Sequence, residues 1–198
     1  MSTSTERPLH VAVIIGSTRQ DRFSPTPARW IAKRARQRGD LTVDLIDLKD
    51  AALPEILGGN DPDAPLPEPV QRLQPRLAQA DAFIVVTPVY NRGYPASLKS
   101  AIDWYFYEWN AKPVGFVSYG GVGGGLHAVE QLRQVFNEVH SPTIRNTISF
   151  ANYWERFDEH GETTDGESLE NAAKGFLDQL DWWAHALRDA RERVPYRP

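Results

Sequence analysis

The chain has 198 residues, no cysteine, one methionine and a formal net charge of -4, long enough for a domain with a real hydrophobic core. A hydrophobic share of 41% and a charged share of 24% argue against disorder or a fibrous repeat, and the lack of cysteine excludes disulfides, cysteine-ligated metals and thiol nucleophiles. The mild acidity gives no footprint for nucleic acid, no apolar run nears the roughly 20 residues of a membrane span, and the opening MSTSTERPLH lacks a signal peptide's apolar segment, so a cytoplasmic globular protein is expected.

Apolar runs alternate with amphipathic stretches along the chain. Leu9 to Ile15 (LHVAVII) is apolar and β-branched and ends at Gly16. Pro27 to Arg38 then places Ala28, Ile31, Ala32 and Ala35 at helical spacing, with Thr26 as the expected N-cap and Gly39 as the stop. Lys33 and the arginines at 29, 34, 36 and 38 read as the solvated face of that helix. Leu41 to Asp47 (LTVDLID) alternates as a strand with one polar face. Leu53 to Pro69 is irregular, with prolines at 54, 62, 65, 67 and 69 plus Gly58 and Gly59, as in a functional flap or interface arm.

Val70 to Gln79 is a helix that Pro75 should kink or shorten. Ala82 to Thr87 (AFIVVT) is a fully apolar strand, and Ala96 to Trp109 a helix whose aromatic end, Trp104, Tyr105, Phe106, Tyr107 and Trp109, exceeds what one buried face holds. A subunit interface would use such residues. Val114 to Ser118, a helix from Gly125 to Val139 and the alternating strand Thr143 to Phe150 follow. The last helix, about Ser168 to Arg193, presents Leu169, Ala172, Phe176, Leu180, Trp183 and Leu187 on one face, and Trp182 and Trp183 are expected to dock on the sheet.

Strands alternating with helices predict a parallel sheet covered on both faces. The second and fifth strands alternate, as edge strands do, while the first, third and fourth are apolar throughout. That matches the 2-1-3-4-5 order of a flavodoxin-like α/β three-layer sandwich. The chain is read as one domain over 1–198, with a core of about 9–150 and a tail and docking helix at 151–198.

Ligands of such sheets bind beyond the C-terminal strand ends, at the switch point between strands 1 and 3. After strand 1, GSTRQDRFSPTP supplies a turn glycine, the hydroxyls of Ser17, Thr18, Ser24 and Thr26, the charges of Arg19 and Arg22, and a helix start. These suit an anion such as phosphate; a capped helix with solvated arginines is the plainer alternative. After strand 3, TPVYNRG places Tyr90 and Asn91 where a planar polar ring could stack and hydrogen-bond, an ordinary βα turn whose tyrosine packs locally being the plainer alternative. After strand 4, SYGGVGGG lets backbone approach a partner closely, and it is neither a Walker loop nor a G-x-G-x-x-G fingerprint. Phosphate site, ring wall and close-approach loop together describe FMN. The histidines at 10, 127, 140, 160 and 185 show no ligand spacing, so no metal is expected, and His127 reads as a surface residue at a helix start.

GSTR, TPVYN-x-x-Y-P-x-x-L-K-x-x-I-D-W and KPVGFVSYGG-x-GG-L-x-A-V-E-Q-L-R closely resemble the NADPH-dependent FMN reductase family, a flavodoxin-like group, over about Val11 to Phe150. The resemblance implies that Ser17, Arg19, Ser24 and Thr26 hold the FMN phosphate. It implies that Pro88, Tyr90, Asn91 and Arg92 line the flavin ring, with Ser118, Tyr119, Gly120 and Gly121 on its other flank. It further implies NADPH or NADH as hydride donor, small acceptors such as quinones, azo compounds, free flavin or metal oxyanions, and a homodimer or homotetramer. Three positions depart from the family pattern: Val89 for a glutamate, Ser24 for a glycine and His127 for an arginine. No side chain is nominated as catalytic acid or base. The rival expectation is a flavodoxin-type electron carrier serving a protein partner, from which Arg19 in the first loop separates this chain.

Overall fold

The computed structural model describes residues 7–59, 61 and 63–198; Pro62 and the first six residues of the opening segment lie outside the described residues. Five strands, β1 Leu9–Ile15, β2 Leu41–Asp47, β3 Ala82–Pro88, β4 Val114–Gly120 and β5 Thr143–Ala151, form one parallel sheet in the order β2-β1-β3-β4-β5. The three inner strands are buried residue by residue apart from half-buried His10, whereas β2 and β5 carry exposed positions. That is the burial expected when helices cover both faces of a parallel sheet.

Among the described residues six helices supply the cover: α1 Pro25–Gln37, α2 Leu48–Ala51, α3 Glu68–Gln79, α4 Ala96–Trp104, α5 Leu126–Glu138 and α6 Gly166–Arg193. One face of the sheet packs Trp30 and Ile31 of α1 and Phe176, Leu177 and Leu180 of α6 over Val11, Val13 and Ile84. On the other, Leu73 and Leu77 of α3, Ile102 of α4 and Phe136 of α5 pack over Ile14, Val85 and Phe116.

Several expectations are corrected. Helix α1 begins two residues early, with Ser24 and not Thr26 as N-cap, because Pro25 and Pro27 both fit its first turn. Helix α3 runs through Pro75, held by the buried face of Val70, Leu73 and Leu77. Helix α4 stops at Trp104, where Tyr105 turns extended. Most of its aromatic end is then spent internally: Tyr105 OH donates to Val70 O (3.0 Å), Trp104 Nε1 to Pro54 O (2.9 Å) and Trp109 Nε1 to Ile102 O (3.2 Å). Phe106 and Tyr107 alone of the five stay exposed.

The buried face of α6 is Ala173, Phe176, Leu177, Leu180, Ala184 and Arg188, one step round from the predicted stripe. Trp182 and Trp183 accordingly do not dock; they are 64% and 39% exposed and pack edge to face on each other. The basic side of α1 is likewise not simply solvated. Arg34 pairs with Glu162 (2.7 Å) and with Glu170, Lys33 with Glu162, and Arg38 with Asp178. Each such pair contributes about 0–1 kcal/mol, whereas each buried Phe or Leu of α6 contributes about 1.5–3 kcal/mol. Burial holds α6 down, and the ion pairs orient the segment leading into it.

The sheet is irregular between Val114 and Phe116, opposite Thr143 and Thr147. Arg133 of α5 satisfies the β5 side of this irregularity, donating to Ile144 O (2.6 Å) and Arg145 O (3.0 Å). On the opposite face Gly115 leaves room for Phe176, whose ring carbons lie 2.5 and 2.7 Å from where a Cβ would stand. Gly115→Ala is expected to lower the unfolding free energy by about 1–3 kcal/mol through overpacking. Denaturant unfolding followed by circular dichroism checks this; stability equal to the wild type would show that Phe176 repacks freely.

Candidate functional site

Strands β1, β3 and β4 end side by side, and their three loops meet there. Gly16 N–H donates to Val86 O (2.9 Å), joining the first loop to β3, and Val89 N–H donates to Tyr119 O (3.3 Å), joining the second to β4. A cavity of about 410 Å³ opens between them. Its lining comes from Arg19 to Phe23, from Pro88, Val89 and Tyr90, from Tyr119, Gly120 and Gly121, and from Tyr153 in a single 3-10 turn, Tyr153–Glu155, after β5.

Two hydroxyl pairs stitch the loops together. Ser17 Oγ lies 2.8 Å from Tyr90 OH, and Ser24 Oγ lies 2.5 Å from Tyr119 OH. Burial pushes the Tyr119 phenol pKa up, against a weaker opposite pull from the Ser24 bond, so the phenol stays protonated at neutral pH. Phe23, Tyr119 and Tyr153 form an aromatic wall, with ring centroids 4.6 Å apart for Phe23 and Tyr153 and 5.2 Å for Tyr119 and Tyr153. Such walls favour a flat π-system.

The polar end is donor-rich. Among the described residues, the N–H groups of Thr18, Gln20 and Asp21 make no main-chain hydrogen bond. Arg22 pairs with Asp47 through Nη2, while its Nε is buried with no partner. A buried unpartnered guanidinium N–H costs roughly 1–3 kcal/mol or more.

The glycine loop divides into two jobs. Gly124 and Gly125 sit at φ +56° and +85°, and a Cβ on Gly125 would meet Ser118 Cβ at 2.8 Å, so the chain's own packing requires them. Gly121 is different. It lines the cavity, and a Cβ there would meet nothing within 4 Å. A lining that combines donors, aromatic rings and open glycine backbone fits FMN.

The predicted site residues separate into three groups. Arg19, Pro88, Tyr90, Tyr119, Gly120 and Gly121 line the cavity. Ser17 and Ser24 stand behind it, each bonded to a tyrosine of the lining. Thr26, Asn91, Arg92 and Ser118 lie outside the lining. Thr26 is in the first turn of α1, its Cγ2 3.7 Å from the Cβ position of Gly161. Ser118 Oγ donates to Gly124 O (2.8 Å) and fixes the glycine loop. Asn91 and Arg92, at φ +48° and +74°, form a two-residue turn closed by paired bonds between Tyr90 and Gly93 (2.8 and 2.9 Å). Arg92 then reaches His127, Nη1 to Nε2 3.0 Å, tethering this turn to α5.

Sequence reasoning counted Arg22 among the charges of the first loop's anion site and assigned no site role to Phe23, Val89 or Tyr153. Arg22 was visible as a second loop cation; Phe23 and Tyr153 carry no local signal, since only folding brings them together. Val89 packs on the backbone, its Cγ1 2.8 Å from the Cβ position of Gly120. No helix among the described residues is long and apolar enough to cross a membrane.

Comparison with known proteins agrees with this geometry. Residues 9–155 match the NADPH-dependent FMN reductase family. The chain is 38% identical over 132 residues to an NAD(P)H-dependent FMN reductase of Schizosaccharomyces pombe, covering 63% of this chain and 64% of that protein. It is 30% identical to a 2-hydroxy-1,4-benzoquinone reductase of Burkholderia sp, covering 92% and 98%. Among solved structures, the flavoenzyme NAD(P)H:(acceptor) oxidoreductase FerB from Paracoccus denitrificans superposes with a TM-score of 0.72 at 29% identity, covering 88% of this chain and 97% of that one.

Because Gly121 lines the cavity and a Cβ there would touch no protein atom, Gly121→Ala is expected to keep stability within about 0.5 kcal/mol and to weaken FMN binding by about 1–3 kcal/mol. Thermal unfolding and flavin fluorescence titration read the two effects separately. FMN affinity equal to the wild type would take Gly121 out of the binding surface.

Proposed function

The chain belongs to the NADPH-dependent FMN reductase family, and on that premise we propose that it is an FMN-dependent oxidoreductase passing electrons from NAD(P)H to small acceptors, quinones first among them. The observation that carries the reading is the cavity at the β1, β3 and β4 ends, where Arg19 and Arg22 and the aromatic residues Phe23, Tyr119 and Tyr153 line one space. FMN, when bound, supplies the hydride chemistry.

The protein's part is to bind and orient. Arg19, Arg22 and the free N–H groups of the first loop hold the phosphate end, with Ser17 and Ser24 supporting them through Tyr90 and Tyr119. Pro88 and Tyr90 flank one edge of the ring; Tyr119, Gly120 and Gly121 flank the other. The turn at Asn91 and Arg92, the Ser118 bond and the Thr26 helix start keep these walls in place. Val89, apolar where the family pattern has glutamate, keeps a carboxylate out of the lining. No acid or base is assigned, since positioning and electrostatics are what such a site supplies.

Residues 1–198 act as one flavin domain, working in the cytoplasm as a homodimer or homotetramer. The exposed Phe106 and Tyr107, with Ile56 and Leu57 also exposed, supply apolar surface for self-association. A flavodoxin-type carrier role is disfavoured by family membership and by Arg19 at the cavity.

Purified protein is expected to be yellow and to bleach anaerobically on adding NADPH or NADH. Colourless protein that FMN cannot reconstitute would overturn the proposal, and a yellow form that neither nucleotide bleaches would restore the carrier reading. Arg19→Ala is expected to weaken FMN retention by about 1–3 kcal/mol, the cost of a lost charge-assisted contact, read by equilibrium dialysis. In size-exclusion chromatography with light scattering, a monomer at micromolar concentration would refute self-association.

A further inference from the structure

Another cavity, of about 620 Å³, lies at the opposite end of the sheet from the flavin cavity, where the strands begin. Its lining includes Arg7 ahead of β1, Asp81 and Lys112 just before β3 and β4, and Arg188, Arg191 and Glu192 from the last turns of α6. Four cations thus stand against two carboxylates. The Asp81 carboxylate is already committed, since Arg7 donates to it through Nη1 and Nη2 (2.7 and 2.9 Å) and His10 through its N–H (2.9 Å). Glu192 is exposed.

Lys112 and Arg191 each keep a donor unused. Lys112 is only 6% exposed, and its Nζ donates to Leu77 O (3.0 Å) and Ala78 O (2.8 Å) near the end of α3. An ammonium has three N–H groups, and among the described residues the third has no partner. Arg191 donates to Ala111 O through Nη1, while its Nη2 stands 3.6 Å from Asp81 Oδ1, beyond hydrogen-bond reach. Burial pulls the Lys112 pKa down to about 8, and nearby Arg191 adds repulsion, against weaker opposite pulls from Asp81 and Glu108. Burial lowers the Arg191 guanidinium as well. An added negative charge in the cavity would stabilise both cations.

We propose that this cavity binds a phosphate group, free or carried on a small molecule, and that Lys112 and Arg191 recognise it. A dianion matches two desolvated cations, and its several oxygens can accept from an ammonium and a guanidinium edge at once. The space around these two groups leaves room for a small molecule attached to the phosphate. Bound there, the ligand would tie the end of α3, the start of β4 and the last turns of α6 together. It would touch neither hydride donor nor acceptor, so it would act as an effector of the fold and not as a substrate. The inference is independent of the flavin reading, because the two cavities share no lining residue.

The test titrates FMN-saturated protein calorimetrically with inorganic phosphate and with glycerol 3-phosphate, chloride holding the ionic strength constant. The bound flavin keeps either ligand out of the first cavity. Wild type is expected to bind at least one of them saturably. Lys112→Met and Arg191→Gln are each expected to weaken that binding about tenfold, the effect of one lost charge-assisted contact. Arg36→Gln, which removes an exposed cation of α1, is expected to bind like the wild type. Tighter binding of the ester assigns the site to a phosphorylated small molecule; equal or tighter binding of inorganic phosphate assigns it to the free ion. Thermal unfolding is measured on every variant, and should Lys112→Met fail to fold, Arg191→Gln decides alone. No saturable binding by wild type, or binding that a folded Lys112→Met or Arg191→Gln retains in full, would overturn the assignment. Protein that takes up no FMN, the failure of the flavin reading, is titrated as it is, and the same variants decide.

Discussion

The functional end depends on how closely β1 and β3 approach where they part. Gly16 N–H bonds to Val86 O, and a Cβ on Gly16 would stand 3.0 Å from that oxygen and 3.3 Å from Leu98 Cδ2. A larger residue would require these neighbours to give by a few tenths of an ångström, and glycine makes the close approach without that shift. With the strands held at that distance, the first loop turns towards α1 and the third strand's loop towards α4, and the space between their hydroxyls and rings becomes the site. The bonds from Ser17 to Tyr90 and from Ser24 to Tyr119 span that space. A polar first loop and an aromatic wall are thereby set in one orientation by neutral hydroxyl pairs, which need no charge to be buried.

The segment after the sheet is part of the site. Tyr153 stands on the 3-10 turn that follows β5 and packs against Phe23 and Tyr119. Its position is held by contacts further along: Phe157 packs on Phe150 (4.7 Å) and on Phe23 (5.5 Å), and Glu162 is held by Lys33 and Arg34 of α1. Helix α1 therefore supplies the first loop's anchor on one side and the clamp for the tail on the other. Cationic residues along a helix that looked like a solvated stripe face a chain of carboxylates from another part of the sequence.

With no cysteine in the chain, a protein dithiol cannot relay electrons, and a redox role must reside in a bound group. The first cavity has the chemistry for one: donors, rings and open glycine backbone. A second cavity, lined in part by the same Arg19 and Tyr90, adjoins it across a shared wall. Tyr90, pinned by Ser17, stands between them, so one side chain shapes both spaces.

Strand positions, the 2-1-3-4-5 order and the loops that bear the site were legible in the sequence, because hydrophobic periodicity reports local geometry and the alternation of β2 and β5 reports edge position. Arg19, Pro88, Tyr90, Tyr119, Gly120 and Gly121 were legible for a related reason, since residues adjoining the ends of inner strands must lie near the switch point. Helix ends, the face of α6, the exposed Trp182 and Trp183, and the places of Phe23 and Tyr153 were not legible. They depend on partners from other segments, as Tyr153 does on Phe23, or on which of several aromatic side chains finds room. Periodicity determines that a helix has an apolar face; only packing against the finished sheet decides which of Ala172 and Ala173, or Trp183 and Ala184, occupies it. Local chemistry thus determined the scaffold and the place of its site, while the tertiary structure decided the walls, because walls are contacts between segments that the chain order keeps apart.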